Sequence, residues 1–281
     1  MSNTLILNSS NSTNQVNIFQ YNFLNGAFVV PDGSELCVSG ITIPYSWFNV
    51  QQQYYNNTKF NITFTQAVTT TYNIVLPNGY YSVNTLNDFL QGFLVNQGLY
   101  LVDSTGQNVY YLSLVYNVST YSVQFLSFAV PIALPAGFTN PAGLVFPAAA
   151  STPQLQILST SNFGTIIGFA TGFYPPVIQP TNYSVLSTLV PQGSIVNSVI
   201  VRCNLVSNSV VSPTDILDSF QINGAFGSNL NYEPTFEKWV KIKSGRYSSF
   251  TITFQDQNLN SIPILDDNVL ITLLLKTPSA K

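Results

Sequence analysis

"YSSFTITF", residues 247–254, alternates Phe250, Ile252 and Phe254 with Ser249, Thr251 and Thr253. Such alternation sets every apolar side chain on one face of an extended chain, the pattern of a half-buried β-strand. The same period recurs outward from it. "KFNITFT" (59–65) alternates Phe60, Ile62 and Phe64 with Asn61, Thr63 and Thr65, and "NIFQYNF" (17–23) places Asn17, Phe19, Tyr21 and Phe23 on one side. "YYLSLVYNVSTYSVQFLSF" (110–128) reads as a hairpin in which Leu112, Leu114 and Tyr116 ascend, Asn117–Thr120 turn, and Tyr121, Val123 and Phe125 return. "NVLITLLLK" (268–276) is apolar on both faces and is expected at a sheet centre. "PDG" at 31–33, "PNG" at 77–79 and "QNLNS" at 257–261 supply turns between such runs. The fold class expected is all-β and antiparallel, a sandwich or barrel.

One segment breaks the period. In "YSVNTLNDFLQGFLVNQG" (81–98), Leu86, Phe89, Leu90, Phe93 and Leu94 recur at helical spacing. Ser82 or Asn84 caps the start, and Gly98 stands where a helix ends. Its polar face carries amides and Asp88 rather than lysines, so it is expected to pack on a sheet, not on a membrane. Residues 129–193 are rich in Pro, Ala and Gly and lack clean alternation, as loops or an inserted unit would. The expected division is a sandwich from residues 1–78 and 179–281, with an inserted or elaborated region containing one helix over 79–178.

Composition narrows the chemistry. Charged residues make up 7% of the 281 residues while 46% are hydrophobic, so a core is available but the usual charged surface is not. Asn, Gln, Ser and Thr stand in for charge. Burying a hydrogen-bonded amide costs less than burying an ion, so this surface suits a chain that lies against other protein. No charged residue falls between Asp103 and Arg202. Lys238, Lys241, Lys243 and Arg246 cluster near the end, either as a solvated strand face beside Glu233 and Glu237 or as a basic patch turned toward an anionic interior. A net charge of −3 argues against nucleic-acid binding by the fold as a whole.

There is no histidine, which removes imidazole catalysis and His-ligated metal. Cys37 and Cys203 form no zinc or disulfide framework, and Cys203 shares a strand face with Val199, Val201 and Leu205. Asp215 and Asp218, or Asp266 and Asp267, are the remaining acid pairs, and turn-capping accounts for them better than catalysis. Asp256 with Asp266 and Asp267 matches no calcium loop, and "GTIIGFATG" (164–172) lacks the lysine of a phosphate loop. No enzyme activity, cofactor or metal is expected. The start carries no secretion signal, no run is long enough to span a membrane, and the Asn-X-Ser/Thr sites then carry little meaning.

"ITIPYSWFNVQQQYYNN" (41–57) sets Trp47, Phe48, Tyr54 and Tyr55 among neutral amides. These rings could be a sugar-stacking platform, a sandwich corner or a subunit contact. Ile41, Ile43 and Tyr45 run one strand face into Trp47, which favours corner or interface.

"MSNTLILNSSN", "SGITIPYSWFNVQQQYYNN", "LPNGYYSVNTLNDFL", "SVIVRCNLVSN" and "GRYSSFTITFQDQN" together resemble the penton (vertex) and minor capsid proteins of virophages, polinton-like viruses and related double-stranded DNA viruses with jelly-roll capsids. The phrases cover most of the chain, least well over about 129–160, and are specific in combination rather than singly. The resemblance implies a jelly-roll β-sandwich with an insertion, a homopentamer at icosahedral vertices, the major capsid protein as partner, and location in the virion after assembly in the host cell. It brings no catalytic residues. A host receptor or glycan met through the inserted region stays open, as does the alternative of a carbohydrate- or receptor-binding module of fibre-head type.

Overall fold

The computed structural model describes residues 2–13, 17–24 and 26–278, which form two compact units. The first comprises the described residues up to Trp47 and from Val196 onward; the second is Phe48–Ile195. Along the chain the first unit opens with β1 (Ser2–Leu7), β2 (Ile18–Asn22), β3 (Phe28–Val30) and β4 (Glu35–Pro44). The second contains α1 (Gln52–Tyr55), β5 (Lys59–Thr65), β6 (Thr69–Val75), α2 (Val83–Asn96), β7 (Tyr100–Val102), β8 (Asn108–Tyr110), β9 (Leu112–Asn117), β10 (Ser122–Ser127), β11 (Gln154–Ile157), α3 (Phe163–Ile167), β12 (Gly172–Tyr174) and β13 (Tyr183–Leu186). The first unit resumes with β14 (Ser198–Cys203), β15 (Ile216–Gln221), β16 (Asn229–Tyr232), β17 (Val240–Lys241), β18 (Gly245–Tyr247), β19 (Ser249–Asp256) and β20 (Leu270–Lys276).

Two large antiparallel sheets form the sandwich of the first unit, beside a short ribbon of β3 with β18. One runs β1-β20-β4-β16, with β17 also on β4; the other runs β2-β19-β14-β15. Apart from the adjacent pair β14 and β15, the eight sandwich strands alternate between the sheets in the order of a jelly roll, two Greek keys wrapped into a sandwich. The expected central position of the last strand holds, since β20 pairs with β1 on one side and β4 on the other.

Alternation decides the inward faces. Phe250, Ile252 and Phe254 of β19 are fully buried, as are Val199, Val201 and Cys203 of β14. An aromatic run crosses β2 and β19: Phe19 meets Phe254 edge-on at 5.8 Å, and Tyr21 stacks on Phe250 at 5.2 Å. In β4 the buried set changes parity, from Leu36 and Val38 to Ile41 and Ile43. The register with β20 slips there, leaving Ser39 as the extra residue, so a bulge restores the apolar face after the shift.

The second unit has its own core. A sheet ordered β12-β11-β5-β6 and a smaller one ordered β13-β10-β9 contribute Phe60, Ile62, Phe64, Leu112, Leu114, Val123 and Phe125 to it. The expected hairpin is there, with Tyr116 opposite Val123 and Leu114 opposite Phe125. Helix α2 starts at Ser82, whose hydroxyl accepts from the Thr85 amide while Thr85 Oγ1 accepts from the Ser82 amide. It buries Leu86, Leu90 and Leu94, holds Phe89 and Phe93 half-buried, and is tied to β9 by the Leu114 amide donating to Asn87 Oδ1 at 2.9 Å. Helices α1 and α3, single turns with too few residues for a periodic stripe, escape pattern reading. The glycines of "GTIIGFATG" serve packing: a side chain on Gly164 would collide with the Phe169 carbonyl, and Gly168 ends α3 at φ +75° against the Leu189 carbonyl.

The unit boundaries correct the expected division. Residues 48–78 and 179–195 belong to the second unit, because β5 and β6 pair with each other and with β11, and β13 pairs with β10. Period-two alternation marks a half-buried strand but not the sheet that receives it.

Phe254→Ala deletes a ring with no exposed surface from the sandwich core, and a loss of about 3–5 kcal/mol of stability is expected. Trp47 and Trp239 both lie in the first unit, so guanidinium unfolding followed by tryptophan fluorescence reads that loss directly.

Candidate functional site

The rings of the 41–57 stretch do not form one platform. Trp47 is 2% exposed and packs on Tyr45 with centroids 4.6 Å apart, at the end of β4 in the first unit. Phe48, half-buried, begins the second unit. Tyr54 and Tyr55 sit on α1, with centroids 6.5 Å apart, and Tyr54 is exposed. Trp47 is thereby withdrawn from any ligand, whereas Tyr54 remains presented to solvent. The amides between them build structure. Asn57 Nδ2 donates to the Asn49 carbonyl at 2.8 Å, and Asn57 Oδ1 accepts from the Gln51 amide at 2.8 Å.

The basic residues are likewise spread. Lys238 pairs with Asp218 at 2.8 Å. Lys241 lies on β17 and Arg246 on β18, both exposed, with buried Ile242 between Lys241 and the exposed Lys243. Lys243 Nζ reaches the Asn204 carbonyl at 3.5 Å. The three that lie beyond Lys238 present a solvated face.

Asp215, Asp256 and Asp266 each have a structural partner. Asp215 receives Arg202 bidentately at 2.9 and 2.7 Å. Asp256 accepts the amides of Asn258 and Asn260 at 2.8 Å, closing the turn after β19, and Asp266 does the same for Asn268 at 3.0 Å. No cluster of three or more metal-ligating side chains occurs among the described residues.

Asp218 differs from these because it points inward. The register of β14 with β15 slips between Val201 and Arg202, so Leu217 is the bulged residue and Asp218 shares the inner side with Phe220. The carboxylate, 7% exposed, accepts from Tyr232 Oη at 2.7 Å and Lys238 Nζ at 2.8 Å. Hydrogen bonding to Asp218 holds the Lys238 ammonium above its ordinary pKa, while burial and then the same carboxylate raise the Tyr232 phenol. Phe220 stacks on Tyr232 at 5.0 Å and 14°, joining the edge strand of one sheet to the edge strand of the other. Beside this stack opens a cleft of about 1060 Å³, with Phe236, 69% exposed, at its rim. Sequence reading missed it, because Asp218, Tyr232 and Lys238 are joined only by the meeting of β15 with β16 and the loop beyond. Its signal was faint: an acid two residues before an inward Phe on an alternating strand.

No family model and no curated protein matches the chain. Among solved structures it is similar to the mavirus penton protein, with a TM-score of 0.43 and 9% identity over 99% of this chain and 98% of that one. It is also similar to the Sputnik virophage structure, at 0.40 and 13% over 98% and 97%. The fold assignment rests on the strand order described above.

Both thiols are buried and unpaired, and burial pushes Cys203 to about 12 and Cys37 to about 11. At pH 8 neither is expected to react with a disulfide reagent until denaturant is added. Above the ordinary thiol value of 9.0 the unfolded chain loses these protons and the folded chain keeps them, so stability falls as pH rises from there. Melting curves across that range check the sign.

Proposed function

We propose that this chain is a structural subunit of an icosahedral viral capsid, with five copies around each vertex in contact with the major capsid protein. The observation that carries the reading is the strand order: β1-β20-β4-β16 facing β2-β19-β14-β15, with a second unit inserted between β4 and β14. The neutral polar surface supports it, since amides and hydroxyls lose less than ions when a neighbour covers them. Both partners of the Arg202–Asp215 pair are about a quarter exposed, so even the bidentate ion pair sits at the rim rather than in a core.

A ring of five joins two different patches of each subunit. The open β15–β16 edge, with the cleft and Phe236, is one such patch in this reading, and Tyr54 and Tyr55 on α1 are anchors of another. Trp47 acts through folding: with its ring buried, Trp47→Ala is expected to cost about 3–5 kcal/mol of stability. The basic segment Lys241, Lys243 and Arg246 faces solvent or an acidic neighbour.

Light scattering after size exclusion, on the chain alone and mixed with the major capsid protein, tests the proposal. The expected species has about five times the monomer mass of 30.8 kDa, and Phe236→Asp is expected to dissociate it without lowering the melting temperature. A monomer under every condition, with or without the shell protein, overturns the reading.

A further inference from the structure

The second unit carries a recess of about 290 Å³ whose chemistry differs from the rest of the surface. Tyr80 and Tyr81 precede α2, Tyr116 ends β9, Tyr121 starts the return of the hairpin, and Pro191 and Gly193 close the far side. Tyr116 and Tyr121 meet edge-on at 6.1 Å, and their hydroxyls have no hydrogen-bond partner among the described residues. Asn84, on the first turn of α2, presents an exposed amide at the rim, likewise without a partner among the described residues. No charged residue lines the recess, and none occurs in the chain from Ser104 to Val201.

Two observations mark it as more than a dent. The first is backbone strain. Tyr121 has φ +48°, in the left-handed region that a hairpin position of this kind ordinarily gives to Gly or Asn. A tyrosine there costs stability, and its ring is 61% exposed, so core packing does not account for keeping it. The second is rigidity from beneath. Asn49, 3% exposed, donates to the carbonyls of Tyr81 and Gly193, both at 2.7 Å, and accepts from the Tyr81 amide at 2.8 Å. One buried amide therefore pins two walls that are far apart in sequence. The Tyr81 hydroxyl, donating to the Pro77 carbonyl at 3.0 Å, fixes that ring as well. Supporting hydrogen bonds of this kind hold a binding surface in place before a ligand arrives.

We propose that this recess binds a neutral saccharide. Sugar rings offer apolar C–H faces that stack on tyrosine and a rim of hydroxyls that both donate and accept, which suits phenols and an amide. Uncharged walls leave an acidic sugar without a counter-charge. A proline-rich peptide also stacks on aromatics, but it needs an extended groove, and this recess is short and lies at the small end of ligand pockets, about 300–1,000 Å³. Binding belongs to the second unit of a single chain, so it is independent of any pentamer.

The test is saturation-transfer NMR on the full chain with cellotetraose, mannotetraose, chitotetraose and galactotetraose, alongside sialyllactose and a proline-rich peptide. At least one neutral oligosaccharide is expected to receive transfer. Tyr121→Gly relieves the strained φ, so it should melt no lower than the parent while weakening that binding about tenfold, the scale of one lost aromatic contact. Asn84→Ala should weaken it too, and Val68→Ala, exposed between β5 and β6 and absent from the recess lining, should leave it unchanged. Transfer to none of the neutral sugars, transfer undiminished in Tyr121→Gly, or binding of the peptide or the sialylated sugar alone each overturns the proposal.

Discussion

The pairing of β20 between β1 and β4 is the interaction on which the first unit depends. Leu273 lies opposite Leu5 on one side and Val38 on the other, so the end of the chain joins two strands from its beginning. Until β20 arrives, β1 has no partner and the β4 sheet is split. The same arrangement makes the insertion affordable. Each sheet is built wholly from strands of one unit, and the closure entropy of a long excursion grows only slowly, by about 0.6 kcal/mol per doubling of its length.

Amides do much of the work that ion pairs do elsewhere. Asn17 donates into the β19 backbone at the Phe254 carbonyl, Asn204 accepts from the Thr251 amide, and Asn49 and Asn57 lock the entry to the second unit. An amide both donates and accepts, so it can satisfy two backbone groups at once without the desolvation cost of a charge. The buried carboxylate of Asp218 is the contrasting case, held by a phenol and an ammonium where the edge strands β15 and β16 come together.

The strands of β5, β9, β10, β19 and β20 were legible because alternation is a local property of the chain. Helix α2 was legible through its stripe and its Ser82 cap. What was not legible is which strands share a sheet: β5 and β19 carry nearly the same pattern, Phe-x-Ile-x-Phe, and end in different units. Pairing partners are chosen by topology and turn geometry, which alternation does not encode. The same holds for sites. Trp47 read as a ring beside amides, yet its neighbour Tyr45 covers it. Tyr80, Tyr81, Tyr116 and Tyr121, three of them in runs read only as helix lead-in or hairpin, come together because Asn49 joins the Tyr81 and Gly193 segments and the β9–β10 hairpin is tied to α2 through Asn87.

The charge-free stretch has a consequence for how the two units meet their surroundings. Residues 48–195 hold Lys59, Asp88 and Asp103 as their sole charged side chains. Their fold contains almost nothing for protons to titrate in the acid range or for salt to screen. A swing in ionic strength therefore acts chiefly on the first unit, where the pairs Arg202–Asp215, Lys238–Asp218 and Lys276–Glu35 lie, and finds little to screen in the second.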